Sequence, residues 1–159
     1  MAPQASLRQM PGPEYRIMQE FSAPIRFVFS WCTDFSPQDA GLEGEEYLRK
    51  VVERSRNRVI FEDLSETERG WAWMSHDVSL RPPKRWHMTG LGNNVDVVAD
   101  YRLTALARDR TRLELRWRRK PKNKNAIRMT KAAREAETKT GWQNFARALE
   151  RDYRRSQRR

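Results

Sequence analysis

One long apolar stripe near the end of the sequence limits the possible folds most. Trp142, Phe145, Leu149 and Tyr153 recur at spacings of three and four residues, which predicts an amphipathic helix. Taken as 130–154, the helix has 25 residues and a length of about 37 Å. Because a helix of that length can cross an entire sheet, we expect its apolar face to be buried against one.

The sequence before this helix predicts about six strands, each with one buried face. The two clearest are 95–105 and 112–118, in which apolar and polar residues alternate. Four further alternating stretches lie at 15–21, 56–64, 70–80 and 85–91. Turn sequences such as Arg81-Pro82-Pro83-Lys84 separate them, so adjacent antiparallel hairpins are the simplest arrangement.

Two short helices are predicted after the first strand. Ser22-Ala23-Pro24 is a helix start signal, and the apolar residues of 25–32 follow at helical spacing. A single helical turn is expected from Ser36-Pro37-Gln38-Asp39. The segment 43–55 is ambiguous, since its apolar residues suit a helix but can also hide a seventh strand. The order of elements predicts an α+β domain with helices on one side of an antiparallel sheet.

Composition bounds the organisation and location of the chain. At 159 residues we expect one domain at 14–155, a flexible lead-in at 1–13 and a basic tail at 156–159. Neither a membrane-spanning stretch nor a signal peptide is evident, so a cytoplasmic protein is expected. One cysteine, Cys32, and two histidines, His76 and His87, cannot build a thiolate or imidazole cluster. No metal or cofactor is predicted.

The order of elements and several local sequences resemble the START-like, or SRPBCC, superfamily. The segment Phe21–Phe35 is similar to the superfamily's first strand-to-helix connection. There a small residue followed by proline begins the helix, and an Asp-Phe pair follows its end. Arg85-Trp86-His87, Asp100–Leu103 and Trp142–Phe145 resemble its later strands and closing helix. The resemblance covers 15–154 and implies a helix-grip fold, in which a curved sheet wraps the C-terminal helix. Polyketide cyclases, coenzyme-Q-binding proteins and lipid-transfer proteins share this architecture.

A helix-grip fold leaves an apolar chamber between sheet and helix, which implies carriage of an apolar small molecule or lipid. The predicted ligand-binding residues are the inward-facing members of the strands and of the helix, Phe61, Trp73, Tyr101, Leu103, Leu115, Trp117, Trp142, Phe145 and Leu149. The alternative is that these aromatic side chains fill the chamber and leave no cavity.

The sequence favours binding over catalysis. The polar residues that could transfer protons inside the chamber are Asp63, His76, His87 and Tyr101. No pair of them has a diagnostic spacing, and His76 and the adjacent Asp77 must point to opposite faces of a strand. A polyketide-cyclase-like enzyme remains the alternative, and a structural role is the simplest interpretation of each residue.

Positive charge is concentrated in the last third of the chain. Residues 1–107 contain 13 Lys/Arg and 15 Asp/Glu, whereas 108–159 contain 19 and 6. The predicted anionic-surface residues are Arg118, Arg119, Lys120, Lys122, Lys124, Arg151, Arg154 and Arg155. They could contact an anionic membrane surface or RNA, including ribosomal RNA, as some bacterial relatives suggest. Since 25 of the 32 basic residues are arginine, a solvated surface produced by genomic base composition is equally consistent.

Overall fold

The computed structural model describes residues 4–123 and 128–159. Within these ranges the chain forms one seven-stranded antiparallel sheet and three α-helices. In chain order the elements are β1 (Tyr15–Phe21), α1 (Ile25–Cys32), α2 (Asp39–Glu43), β2 (Leu48–Arg54), β3 (Arg58–Thr67), β4 (Gly70–Arg81), β5 (Arg85–Gly92), β6 (Val95–Ala107), β7 (Arg110–Pro121) and α3 (Lys131–Ser156). The predicted α+β helix-grip architecture is therefore confirmed.

The sheet has the spatial order β1-β7-β6-β5-β4-β3-β2. Consecutive strands from β2 to β7 pair as hairpins, and β1 closes the order by pairing with β7, with Tyr15 opposite Trp117 and Phe21 opposite Thr111. Helix α3 packs against β1, α1 and α2. This arrangement places the three helices on the concave face of the sheet.

The seventh strand corrects the expected number of six. It is β2, formed by part of the segment that could equally have been a helix. Gly44 ends α2 with a left-handed backbone (φ 73°), and the chain then pairs with β3, with Leu48 opposite Leu64. Because β2 is an edge strand, only one of its sides finds hydrogen-bond partners, and a bulge lies between Val51 and Glu53.

The long C-terminal helix is confirmed, with Thr130 as its N-cap. The Thr130 side chain accepts a hydrogen bond from the Ala133 backbone N–H at 3.1 Å. Residues 124–127, which include the predicted surface residue Lys124, lie outside the described ranges. In the described residues, no helix combines the length and the apolar character needed to cross a membrane.

The core lies between the concave face and the helices. Its fully buried members come from many elements, and the largest are Phe21, Phe61, Leu113, Leu149 and Val28. The hydroxyl of buried Thr111 donates to the Ala23 carbonyl at 2.8 Å, which joins β7 to the loop before α1. Some of these core residues, such as Phe61, also border the cavity described below.

Residues 4–13 lie against the outer, convex face of the sheet. The Gln4 side chain donates to the Asp77 carbonyl at 3.0 Å, and the Arg118 guanidinium donates to the Gly12 carbonyl at 2.7 Å. A short 3-10 turn, Leu7–Gln9, buries Leu7 against β6. This segment therefore covers part of a face that would otherwise contact solvent.

Candidate ligand cavity

A cavity of about 380 Å³ lies between the concave face and the three helices. Aromatic rings form a large part of its wall, contributed by Trp31, Phe35, Tyr47, Phe61, Trp86, Tyr101, Trp142 and Phe145. Several of these rings stack on one another, with centroids 4.7 Å apart for Trp86 and Tyr101 and for Phe35 and Phe61. Mutual stacking fixes the positions of these rings, and the partly buried Trp31, Tyr101 and Trp142 keep some surface free on the cavity side.

The polar part of the wall is organised by Arg49 on β2. Its guanidinium donates two hydrogen bonds to the Asp63 carboxylate, Nε to Oδ1 and Nη2 to Oδ2, both at 2.8 Å. A third hydrogen bond, from Nη1, reaches Asp39 Oδ2 at 2.8 Å. Only 8% of the Arg49 side chain is exposed. This buried network ties β2 to β3 and α2 at the cavity wall.

His76 completes this network from β4. Its Nε2 lies 3.2 Å from Asp63 Oδ2, and its ring stacks on Phe61 with centroids 4.3 Å apart. The other ring nitrogen, Nδ1, is buried and makes no hydrogen bond within the described residues. Asp63 therefore receives hydrogen bonds from two side chains, while His76 keeps one nitrogen unused.

Burial and charge separate the pKa values of the cavity carboxyls. Burial raises the pKa of Asp39 to about 6, against the opposing effect of Arg49. Burial acts in the same direction on Asp63, but hydrogen bonds from Arg49 and His76 outweigh it and hold the pKa of Asp63 below its usual value. Asp63 is thus ionised at neutral pH. The pKa of Asp39 lies much closer to neutral pH than that of Asp63.

Glu43 and Glu45 mark the mouth of the cavity, where both side chains are exposed. Although Glu43 reaches solvent, surrounding protein atoms desolvate it, and together with the neighbouring Glu45 they raise its pKa to about 7. The same two glutamates border an adjoining groove along α3, lined also by Arg134 and Glu137. The loop between α2 and β2 therefore forms the mouth, opposite α3.

Five of the nine predicted ligand-binding residues line the cavity. Phe61, Tyr101, Trp142 and Phe145 contribute to its wall. Trp73 borders it with 41% of its surface exposed, because strand alternation puts its indole on the opposite face from Met74 and His76. The other four, Leu103, Leu115, Trp117 and Leu149, are not in the cavity lining and are buried in the packed core.

The structure separates the four predicted proton-transfer residues. Asp63, His76 and Tyr101 share the cavity wall. His87 lies on the convex face, where Nδ1 contacts Asp100 Oδ1 at 2.5 Å and Nε2 contacts the Ala5 carbonyl at 2.9 Å. The hydrogen bond with Asp100 raises the pKa of His87. His87 therefore joins the sheet to the N-terminal segment and cannot act with the cavity residues.

The predicted anionic-surface residues fall into two groups. Around the end of β7, Arg118 is bound to backbone carbonyls and Lys122 pairs with Asp96 at 2.9 Å. Arg119 and Lys120 lie on the same strand. At the end of α3, Arg151, Arg154 and Arg155 are all exposed. Arg151 pairs with Asp152 at 3.8 Å, so Arg154 and Arg155 are the members more available to an anion than Arg118 or Lys122.

Sequence reasoning missed most of the polar wall. Arg49, Asp39, Glu43 and Glu45 were not candidates, because the segment that carries three of them had no assigned secondary structure. Placing 48–54 on a strand beside 58–67 would have set Arg49 opposite Asp63 and provided the signal. Trp31, Phe35 and Trp86 were also missed as cavity residues.

Comparison with solved structures agrees with this architecture. The aromatase/cyclase Zhui from Streptomyces sp. R1128 matches with a TM-score of 0.65 and 13% identity, over 90% of this chain and 94% of that one. A START superfamily protein from Mycobacterium smegmatis matches with a TM-score of 0.64 and 14% identity, over 91% and 99%. Protein CV1439 from Chromobacterium violaceum has 19% identity and a TM-score of 0.63, over 86% and 97%. No protein-family model and no curated protein matches the sequence.

The chain is therefore a single-sheet helix-grip protein with an aromatic cavity under its C-terminal helix. Its fold is that of the START-like superfamily, as the sequence resemblance implied.

Proposed function

We propose that this protein binds an apolar small molecule in the cavity between its sheet and α3. The observation that supports this most is the cavity itself, whose lining includes aromatic side chains that are only partly buried, Trp31, Tyr101 and Trp142. Flat, preordered rings gain contact area from a ligand at little entropic cost.

The size of the cavity favours a compact ligand over a membrane lipid. A volume of about 380 Å³ lies near the lower end of the roughly 300 to 1,000 Å³ typical of small-molecule sites. Such a volume suits one fused or planar ring system. A ligand of this kind would lie beside Tyr101 and Trp142, whose rings are only partly buried.

Catalysis on the bound molecule is the second candidate function, and the contact between Asp63 and His76 at 3.2 Å favours it. Asp63 would orient the imidazole, and a ligand hydroxyl or enol could exchange a proton with His76 or with the Tyr101 hydroxyl. Arg49 would hold Asp63 in place. Under this hypothesis His76→Gln abolishes turnover of a candidate substrate while leaving its binding intact.

Isothermal titration calorimetry with 2-naphthol, a neutral planar probe, tests the binding proposal. Ala72 on β4 lines the cavity, so Ala72→Trp should fill part of it and weaken binding at least tenfold. Ser75 lies on the same strand with its side chain on the opposite face. Ser75→Trp is therefore the matched control and should bind as the wild type does. Equal binding by both variants, or no binding by the wild type, would contradict the proposal.

A further inference from the structure

The charged groups of the cavity wall are mainly acidic. Asp39, Glu43, Glu45 and Asp63 supply four carboxyls, and Arg49 is the one lysine or arginine among the described lining residues. This local excess of negative charge stands in a protein whose net charge is +11. The cavity therefore differs in sign from the rest of the molecule.

The guanidinium of Arg49 already interacts with carboxylates of the protein. Arg49 donates hydrogen bonds to Asp39 and Asp63 at 2.8 Å and to the Tyr47 hydroxyl at 3.3 Å. Within the described residues, Glu43 and Glu45 take part in no ion pair, and Glu43 has a hydrogen bond with Tyr47. These two carboxyls at the mouth are left to interact with a ligand.

The aromatic wall also accommodates positive charge. The Arg49 guanidinium carbon lies 4.3 Å from the centroid of the Phe61 ring and 5.1 Å from that of Tyr47. Cation–π contacts of this kind contribute about 0.5 to 2 kcal/mol, most where water is excluded. Tyr101 and Trp142 line the same cavity, and their rings are only partly buried.

We propose that the natural ligand is an organic cation, an apolar or aromatic body that carries a basic or quaternary nitrogen. The body would lie against Tyr101 and Trp142, and the nitrogen would lie near Glu43 and Glu45 at the mouth. This inference rests on the proposed function and narrows the ligand from any apolar molecule to a cationic one.

A pair of isosteric probes tests this inference by tryptophan-fluorescence titration. Benzyltrimethylammonium and neopentylbenzene have the same shape and differ in one atom, N⁺ in place of C. The wild type should bind the cation at least tenfold more tightly, which corresponds to about 1.4 kcal/mol. Glu43→Gln/Glu45→Gln should remove most of this preference and leave the affinity for neopentylbenzene unchanged.

A variant that loses two negative charges away from the cavity is the control for the effect of net charge. Glu46→Gln/Glu62→Gln removes the same two charges, and neither residue lines the cavity, so this variant should keep the preference. If the wild type binds neopentylbenzene as tightly as the cation, the inference is overturned while the proposed function stands. If the wild type binds neither of the two probes nor 2-naphthol, both the proposed function and the inference of a cationic ligand fail. If both double variants lose the preference equally, the attraction is a general effect of net charge and the assignment to the mouth is wrong.

The pH dependence gives a second readout, since the charge of the probe is permanent. Glu43 faces Asp39, Glu45, Tyr47 and Arg49, and α3 adds Arg134 and Glu137 across the adjoining groove. Lowering the pH from about 8 to about 5.5 protonates Glu43, whose pKa is about 7. The affinity for benzyltrimethylammonium should therefore fall over this range. A flat pH profile would count against a role for Glu43.

Discussion

Replacing Arg49 with methionine should expose how strongly the cavity wall depends on one buried cation. The variant keeps an unbranched side chain of similar length and removes the hydrogen bonds to Asp39 and Asp63. Only 8% of the Arg49 side chain and 17% of each carboxylate side chain are exposed. Removing one partner of a buried ion pair typically costs about 3 to 5 kcal/mol, because the other charge stays buried without compensation. We expect a loss of that size at pH 8.

The loss of unfolding free energy in Arg49→Met should be smaller at low pH. In the wild type the pKa of Asp63 is below its usual value, so its contribution to stability is present at neutral pH and is lost only as the pH falls through the acid range. In Arg49→Met, burial without the guanidinium raises the pKa of both Asp39 and Asp63. Each carboxyl then destabilises the fold when ionised and stops doing so once protonated. The variant should consequently recover stability relative to the wild type between pH 8 and pH 5.

Urea unfolding monitored by tryptophan fluorescence at pH 8 and pH 5 measures both effects. The double variant Arg49→Met/Asp63→Asn should be more stable at pH 8 than Arg49→Met alone, since the buried charge is removed with its partner. A loss below about 1 kcal/mol at pH 8, or an equal loss at both pH values, would refute the electrostatic explanation. The second result would assign the loss to packing against Phe61.

Two further predictions concern other parts of the chain. Thr111→Val should lower the free energy of unfolding by about 1 to 3 kcal/mol, because the buried Ala23 carbonyl loses its donor; an unchanged urea midpoint would contradict this. If the basic end of α3 contacts RNA, changing Arg151, Arg154 and Arg155 to glutamine should weaken binding to single-stranded RNA and reduce the salt dependence of log K by about 2. RNA binding that is unaffected by the substitutions, or that does not depend on salt, would rule out this surface.

Much of the architecture follows from periodicity. The stripe from Trp142 to Tyr153 predicted α3, and strict alternation predicted β6 and β7, because these elements bury one face and expose the other. For strand β2 the sequence left two alternatives, a helix or a hidden strand, since it is an edge strand that is exposed along almost its whole length. When both faces of a strand contact solvent, its sequence shows no alternation of apolar and polar residues. The bulge between Val51 and Glu53 disturbs any remaining pattern.

The cavity residues were only partly predictable for a different reason. Alternation indicates that Tyr101, Leu103 and Leu115 face the helices. It does not indicate where the helices contact the sheet, and that decides which residue borders open space and which is packed. Trp117 shows the same limit, because it stacks on Tyr15 at 5.3 Å and is buried outside the cavity. The network around Arg49 depends on pairing between strands, which no single strand pattern reveals.

The indole N–H signals of the six tryptophans offer the most direct test of ligand binding in the cavity. Trp31, Trp86 and Trp142 line it, whereas Trp117 is buried elsewhere and Trp71 is exposed on the sheet. Titration of ¹⁵N-labelled protein with 2-naphthol should shift the signals of the first three and leave Trp71 and Trp117 unchanged. Shifts confined to Trp71, or no shift at any indole at saturating probe, would contradict a ligand-binding cavity under α3.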